Sequence, residues 1–245
     1  MPPTLVRARN DPAQYDELAE EWWKPRGTFA MLHWLAAARA SQVPPAPAEG
    51  ALLVDVGCGG GLLAPHLAGL GYRVVGIDVT LSALYLAGEH GEAAVCADAG
   101  RLPLADACAD VVCAGEILEH VVDLRGVIGE ACRVLRPGGT LVIDTIADTF
   151  LARHLVVTVA ERIPRGAPVG LHDPALFVDR RLLVEECRRH GVHLRLRGLR
   201  PGVGSLTAWF LRRQANVEMV GTWSSAVLFQ AVGTKAGPTP DGRDR

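Results

Sequence analysis

The six cysteines contain no C-x-x-C pair and no regular framework, which argues against a structural zinc knuckle and a disulfide scaffold and favours a reduced, cytoplasmic chain. Lysine is almost missing, with Lys24 and Lys235 alone beside a predominance of arginine, and the formal net charge is −2. Without a basic excess there is no global field to hold nucleic acid, so a small molecule is the expected partner. No apolar run is long enough to span a bilayer, and Met1-Pro2-Pro3-Thr4 does not open a charged, apolar, cleavable leader. Aromatics make up only 5% of the residues, yet 49% are hydrophobic, enough for a large core. A length of 245 residues suits one α/β domain with small additions.

What is present is an alternation. Residues 13–23 and 27–42 have helical periodicity and end at Pro44-Pro45-Ala46-Pro47, where fixed φ and missing amides stop a helix. The apolar run 52–56, closed by glycines, predicts a strand buried on both faces of a parallel sheet. Helix 61–70, strand 73–78, helix 81–89, strands 93–97 and 110–115, helix 123–135 and strand 140–146 follow, then helix 179–190, strand 192–198 and a strand near 225–233. This predicts a Rossmann-like α/β fold with a seven-stranded, mostly parallel sheet and helices on both faces. A helical cap occupies 1–47 and the main domain 48–236; residues 148–177 form an insertion over the site and 237–245 a disordered tail.

The chemistry gathers at strand ends. Val54-Asp55-Val56-Gly57-Cys58-Gly59-Gly60-Gly61-Leu62 places a glycine-rich turn between strand and helix, so that backbone can approach a ligand closely. A dinucleotide fingerprint requires a glycine where Leu62 stands, and Asp55 would repel a pyrophosphate while welcoming a cationic amino-acid group. S-adenosylmethionine is therefore preferred to a nicotinamide dinucleotide. Asp78, followed by Val79, ends the second strand about 20 residues on, where a carboxylate accepts from ribose hydroxyls. Asp98, beside the small Ala99, can accept from an adenine amino group. Gly115-Glu116-Ile117-Leu118-Glu119-His120 lies at the carboxyl edge of the sheet. Its Glu116, Glu119 and His120 suit either a divalent cation such as Mg2+ or general-base work by His120, against the plainer reading that the glutamates cap the next segment.

These motifs resemble the O-methyltransferases of ubiquinone biosynthesis, bacterial and mitochondrial, within the class I methyltransferases. Tyr15-Asp16-Glu17-Leu18-Ala19, Trp22-Trp23, Gly27-Thr28-Phe29, Leu32-His33 and Arg39 are similar to that family's N-terminal signature. Val54–Gly61 and Glu116–Val121 match its cofactor and edge motifs, and Ile163-Pro164-Arg165-Gly166 with His172-Asp173 and Phe177 its insertion. Departures are Ala36-Ala37 where the family has Asn-Pro, a stretched Arg165–Asp173 segment and a divergent C-terminal part. The resemblance implies that Arg39 holds the cofactor carboxylate, that Gly57, Gly59 and Asp78 meet its backbone and ribose, and that Gly115 contacts it. It makes Glu116, Glu119 and His120 the metal positions, with His33 and His172 as further candidate bases. It also implies methyl transfer to a phenolic or catechol oxygen, leaving S-adenosylhomocysteine. The alternative is an enzyme of secondary metabolism acting on a polyketide, sugar or aromatic acid. The segment 148–170 is a candidate for peripheral contact with the inner face of a membrane. The oligomer is expected to be a monomer or homodimer.

Overall fold

A computed structural model describes residues 9–159 and 168–237. Eight strands form one sheet: β1 (Ala51–Val56), β2 (Tyr72–Asp78), β3 (Ala93–Cys96), β4 (Ala109–Gly115), β5 (Leu135–Ile146), β6 (Val192–Pro201), β7 (Met219–Thr222) and β8 (Leu228–Lys235). Their order is β3-β2-β1-β4-β5-β8-β6-β7. The first five run parallel, while β8 enters antiparallel between β5 and β6.

Successive side chains of a strand point to opposite faces, so the central strands feed two cores. On one face Val54, Val112, Ala114, Leu141 and Ile143 pack with Ile128 and Ala131 of α4 (Leu124–Val134) and with Leu183 and Cys187 of α6 (Arg180–Arg189). On the other, Leu53, Val111, Cys113 and Val142 pack with Ala40 of α2 (Ala30–Ala40), Leu63 and Leu67. This explains why β1 and β4 are apolar on both faces, interrupted only by Asp55 and Asp110. The helices α1 (Ala13–Glu17) and α3 (Leu81–Glu89) and the short α5 (Phe150–Ala152), continued by a wider turn over Arg153–Val159, complete the frame with α7 (Val203–Phe210). Among the described residues no helix is long and apolar enough to cross a membrane.

Four expectations change. Helix 61–70 is a single tight turn, Ala64–Leu67, because Pro65 withholds an amide and Gly69 and Gly71 adopt φ of 82° and 87°. Between strand 192–198 and the last strand, where no helix is expected, the chain forms α7, with Gly202 before its first turn. Beyond it β7 adds an eighth strand to the expected seven. The last strand begins at Leu228 rather than 225. The Ile163–Gly166 turn, and the tail from 238 on, lie outside the described residues.

Candidate functional site

The carboxyl ends of β1, β2 and β4 open into a cavity of about 1270 Å³. Of the thirteen residues singled out from the sequence, twelve line it: Arg39, Asp55, Gly57, Cys58, Gly59, Asp78, Val79, Asp98, Ala99, Gly115, Glu116 and His120. Glu119 does not. Its side chain is wholly buried beneath the floor, where Oε2 accepts from the Thr145 hydroxyl at 2.6 Å.

The glycine turn is shaped by contacts from both sides. Asp78 Oδ2 accepts from the Gly59 amide at 2.9 Å and Oδ1 from that of Thr80 at 2.8 Å, so the carboxylate anchors the turn while facing the cavity. Gly59 has φ of 51°, and a Cβ there would lie 2.3 Å from Cη2 of Trp22. Glycine is needed at this position because the N-terminal cap presses an indole onto it, a requirement beyond access for a ligand. Trp23 Nε1 completes the clamp by donating to the Gly60 oxygen at 2.9 Å.

Arg39 is held first by the protein itself. Its Nε and Nη2 donate to the two oxygens of the buried Asp144 on β5 at 2.6 and 2.8 Å, which leaves Nη1 and the second hydrogen of Nη2 to meet a ligand carboxylate. The guanidinium lies flat over Gly115, where a Cβ would come within 1.7 Å of Cζ. Asp55 is nearly inaccessible and its Oδ1 has no hydrogen-bond partner. Burial pushes its carboxyl up to about 7, opposed by Arg39 and reinforced by Asp144 and Asp78. A buried acceptor with no donor, lining this cavity, fits the ammonium of an amino-acid moiety.

At the far edge Glu116 takes φ of 54°, its amide donating to the main-chain oxygen of Asp144, and its carboxyl is raised well above the usual carboxylate range, chiefly by burial and then by Glu119. Burial also raises Glu119 to about 7, with Thr145 opposing. His120 is lowered to about 3 by burial, helped by His172, whose ring lies 5.4 Å from its own with planes 29° apart. Tyr15, raised by burial, places its hydroxyl 3.4 Å from His120 Nε2.

The expected metal centre at Glu116, Glu119 and His120 is not what the fold builds. Among the described residues no three His, Cys, Asp or Glu side chains are grouped as ligands. Glu119 turns into the floor toward Thr145, and His120 turns toward Asn10 and Tyr15. His33 bonds the Trp22 oxygen at 2.8 Å and does not line the cavity, whereas His172 does. Sequence reasoning missed Asn10, Asp144 and the wall formed by Trp34, Leu206 and Trp209. The one signal that could have found Asp144 is its charge inside the apolar run 141–146.

The family profile described as a methyltransferase domain matches residues 54–143. A protein of Thiobacillus denitrificans named ubiquinone biosynthesis O-methyltransferase is 36% identical over 188 residues, 74% of this chain and 81% of its own length. Its namesake from Ralstonia nicotianae is also 36% identical, over 209 residues covering 80% and 87%. Among solved structures, an S-adenosylmethionine-dependent methyltransferase of Thermotoga maritima superposes with TM-score 0.62 at 18% identity, covering 90% of this chain and 98% of the other. One from Aquifex aeolicus superposes with TM-score 0.55 at 15% identity, covering 91% and 97%. At that identity the structures speak for the fold alone.

Proposed function

The chain belongs to the ubiquinone biosynthesis O-methyltransferases, S-adenosylmethionine-dependent enzymes of the class I fold, and on that premise we propose that its acceptor is a phenolic or catechol hydroxyl. The observation that carries this reading is the half-buried His120, which shares one continuous cavity with the Gly57–Gly59 turn, Asp55 and Arg39. When bound, S-adenosylmethionine supplies a methyl group on a sulfonium sulfur, an electrophile that needs no metal to be activated. Arg39 Nη1 and Asp55 would receive its carboxylate and ammonium, Asp78 its ribose and Asp98 its adenine, a reading supported by all four lining the cavity. The paired charges of Arg39 and Asp144 fix the floor beneath, and Tyr15, Trp22 and Phe29 exclude water from above.

His120 takes the hydroxyl proton as the acceptor oxygen forms its bond to the methyl carbon and the carbon–sulfur bond breaks. His120 would end the step as an imidazolium, taking over the positive charge that the methyl donor brings, so charge is conserved. Alignment in the cavity supplies the larger share, on the order of 7–11 kcal/mol in favourable cases, while a general base contributes about 10²–10⁴-fold. The exposed Phe150, Leu151 and Leu155, followed past the undescribed stretch by exposed Val169, support contact between this rim and a membrane surface holding a lipid-tailed acceptor.

Transfer of labelled methyl to a panel from polyprenyl catechols to small phenols tests the proposal. His120→Ala should bind S-adenosylhomocysteine as the native protein does and turn over about 10²–10⁴-fold more slowly. No labelling of any phenol, or undiminished turnover by the variant, removes the respective half of the reading.

A further inference from the structure

Asn10, from the segment before α1, meets His120 twice across 110 positions of sequence. Its Nδ2 donates to the main-chain oxygen of His120 at 2.8 Å, and its Oδ1 lies 2.6 Å from ring Nδ1. The chemistry of these groups fixes both directions. A main-chain oxygen only accepts, so the amide nitrogen must face it and the amide oxygen must face the ring. An amide oxygen also only accepts, so Nδ1 carries the hydrogen. A neutral imidazole has a single N–H, and its lone pair is then at Nε2, the atom beside the Tyr15 hydroxyl in the same cavity.

We infer that Asn10 is a positioning residue that locks His120 in the Nδ1–H tautomer and presents Nε2 to the acceptor hydroxyl. The inference rests on the reading of His120 as the base. In the step, the acceptor O–H bond breaks and Nε2–H forms, while the Nδ1–H of the resulting imidazolium stays bonded to Asn10 Oδ1. In the other tautomer the hydrogen sits on Nε2 and the ring cannot receive a proton there.

Asn10 is itself braced. It adopts φ of 59°, a conformation asparagine tolerates better than most residues, and its amide donates to the Gly170 oxygen at 3.0 Å. The neighbouring Arg9 donates to the oxygen of His172, the residue stacked on His120, at 2.6 Å. Two consecutive residues thus tie the N-terminal segment to the chain that flanks the imidazole from the other side.

The test uses the full chain with ¹⁵N-labelled histidine, the His120 signals being those lost in His120→Gln. Long-range proton–nitrogen spectra should show a protonated Nδ1 and an unprotonated Nε2 in the native protein. Asn10→Ala should bring in the Nε2–H form and lower kcat at least about tenfold, short of the loss of the base itself, with KM for both substrates within about twofold. Asn10→Asp, whose carboxylate still accepts from Nδ1–H, should recover the native tautomer and most of kcat; it also decides the matter if the alanine variant fails to fold. A native His120 protonated at Nε2, or an Asn10→Ala protein with unchanged tautomer and kcat, overturns the inference. A protonated Nδ1 with undiminished turnover in His120→Ala would instead sink the base reading and leave the lock in place.

Discussion

Glu92 carries a prediction that can be worked in numbers. It stands just ahead of β3 with 5% of its surface exposed, and its carboxylate reaches over Gly76, where a Cβ would lie 1.9 Å from Oε2. Gly76 is the register partner of Asp55 across β1 and β2, so two carboxyls share the interior behind the glycine turn. Burial pushes Glu92 up to about 9 from 4.5, with Asp55 pushing the same way. A carboxyl raised in the folded state contributes most below its unfolded value, and the contribution drains away as the pH climbs toward the folded one. Each pH unit in that window is worth about 1.4 kcal/mol for one retained proton. From pH 6 to 8 that is about 3 kcal/mol, or about 5–11 °C in Tm for a domain of this size. Glu92→Gln keeps the shape and removes the proton. Melting both proteins in buffers of matched ionic strength should show the variant gaining on the native protein by that amount between pH 6 and 8. Any constant cost of the amide cancels in the difference. A gap that stays level across the range means that Glu92 is ionised in the folded protein, and the argument fails.

Two further perturbations address the floor of the cavity. Gly115→Ala drives a methyl group into the Arg39 guanidinium and should weaken S-adenosylhomocysteine binding at least about tenfold, roughly 1.4 kcal/mol, in calorimetry; native affinity would show that Arg39 is free to move aside. Arg39→Met leaves Asp144 charged and buried and should cost about 3–5 kcal/mol in urea unfolding, whereas adding Asp144→Asn should restore most of the loss. Strictly additive losses in that double-mutant cycle would deny the coupling.

The cofactor end was legible because its logic is local. A buried strand, a glycine turn and an acid at the next strand end follow one another between Ala51 and Asp78, and the parallel pairing of β1 with β2 brings them together. The parts that sequence reading missed depend on distance or on weak signals. Arg39 and Asp144 are 105 positions apart, and nothing near either residue announces its partner. Glu119 looked like a cavity ligand because it stands one position from His120, but the tight turn Leu118–His120 sends the two side chains in different directions. Glu92 belongs to no motif, and nothing in the sequence around it marks its burial. α7 begins Val203-Gly204-Ser205, poor helix formers, and is held by Trp209 packing on Trp34 and by Arg26 over the Trp209 ring. β7 has four half-buried residues and no clean alternation to reveal it.

The place of β8 sets the order in which the sheet can be assembled. It follows β6 and β7 along the chain yet lies between β5 and β6, so a nascent polypeptide that has already paired β6 with β7 must keep the other edge of β6 and the edge of β5 open for it. Until β8 arrives, β5 and β6 each present a row of unsatisfied amides and carbonyls, and β8 must zip against both within one event. The connection from β6 to β7 carries α7 with Trp209, so that wall of the cavity hangs from the strand pair that β8 joins to the parallel part of the sheet.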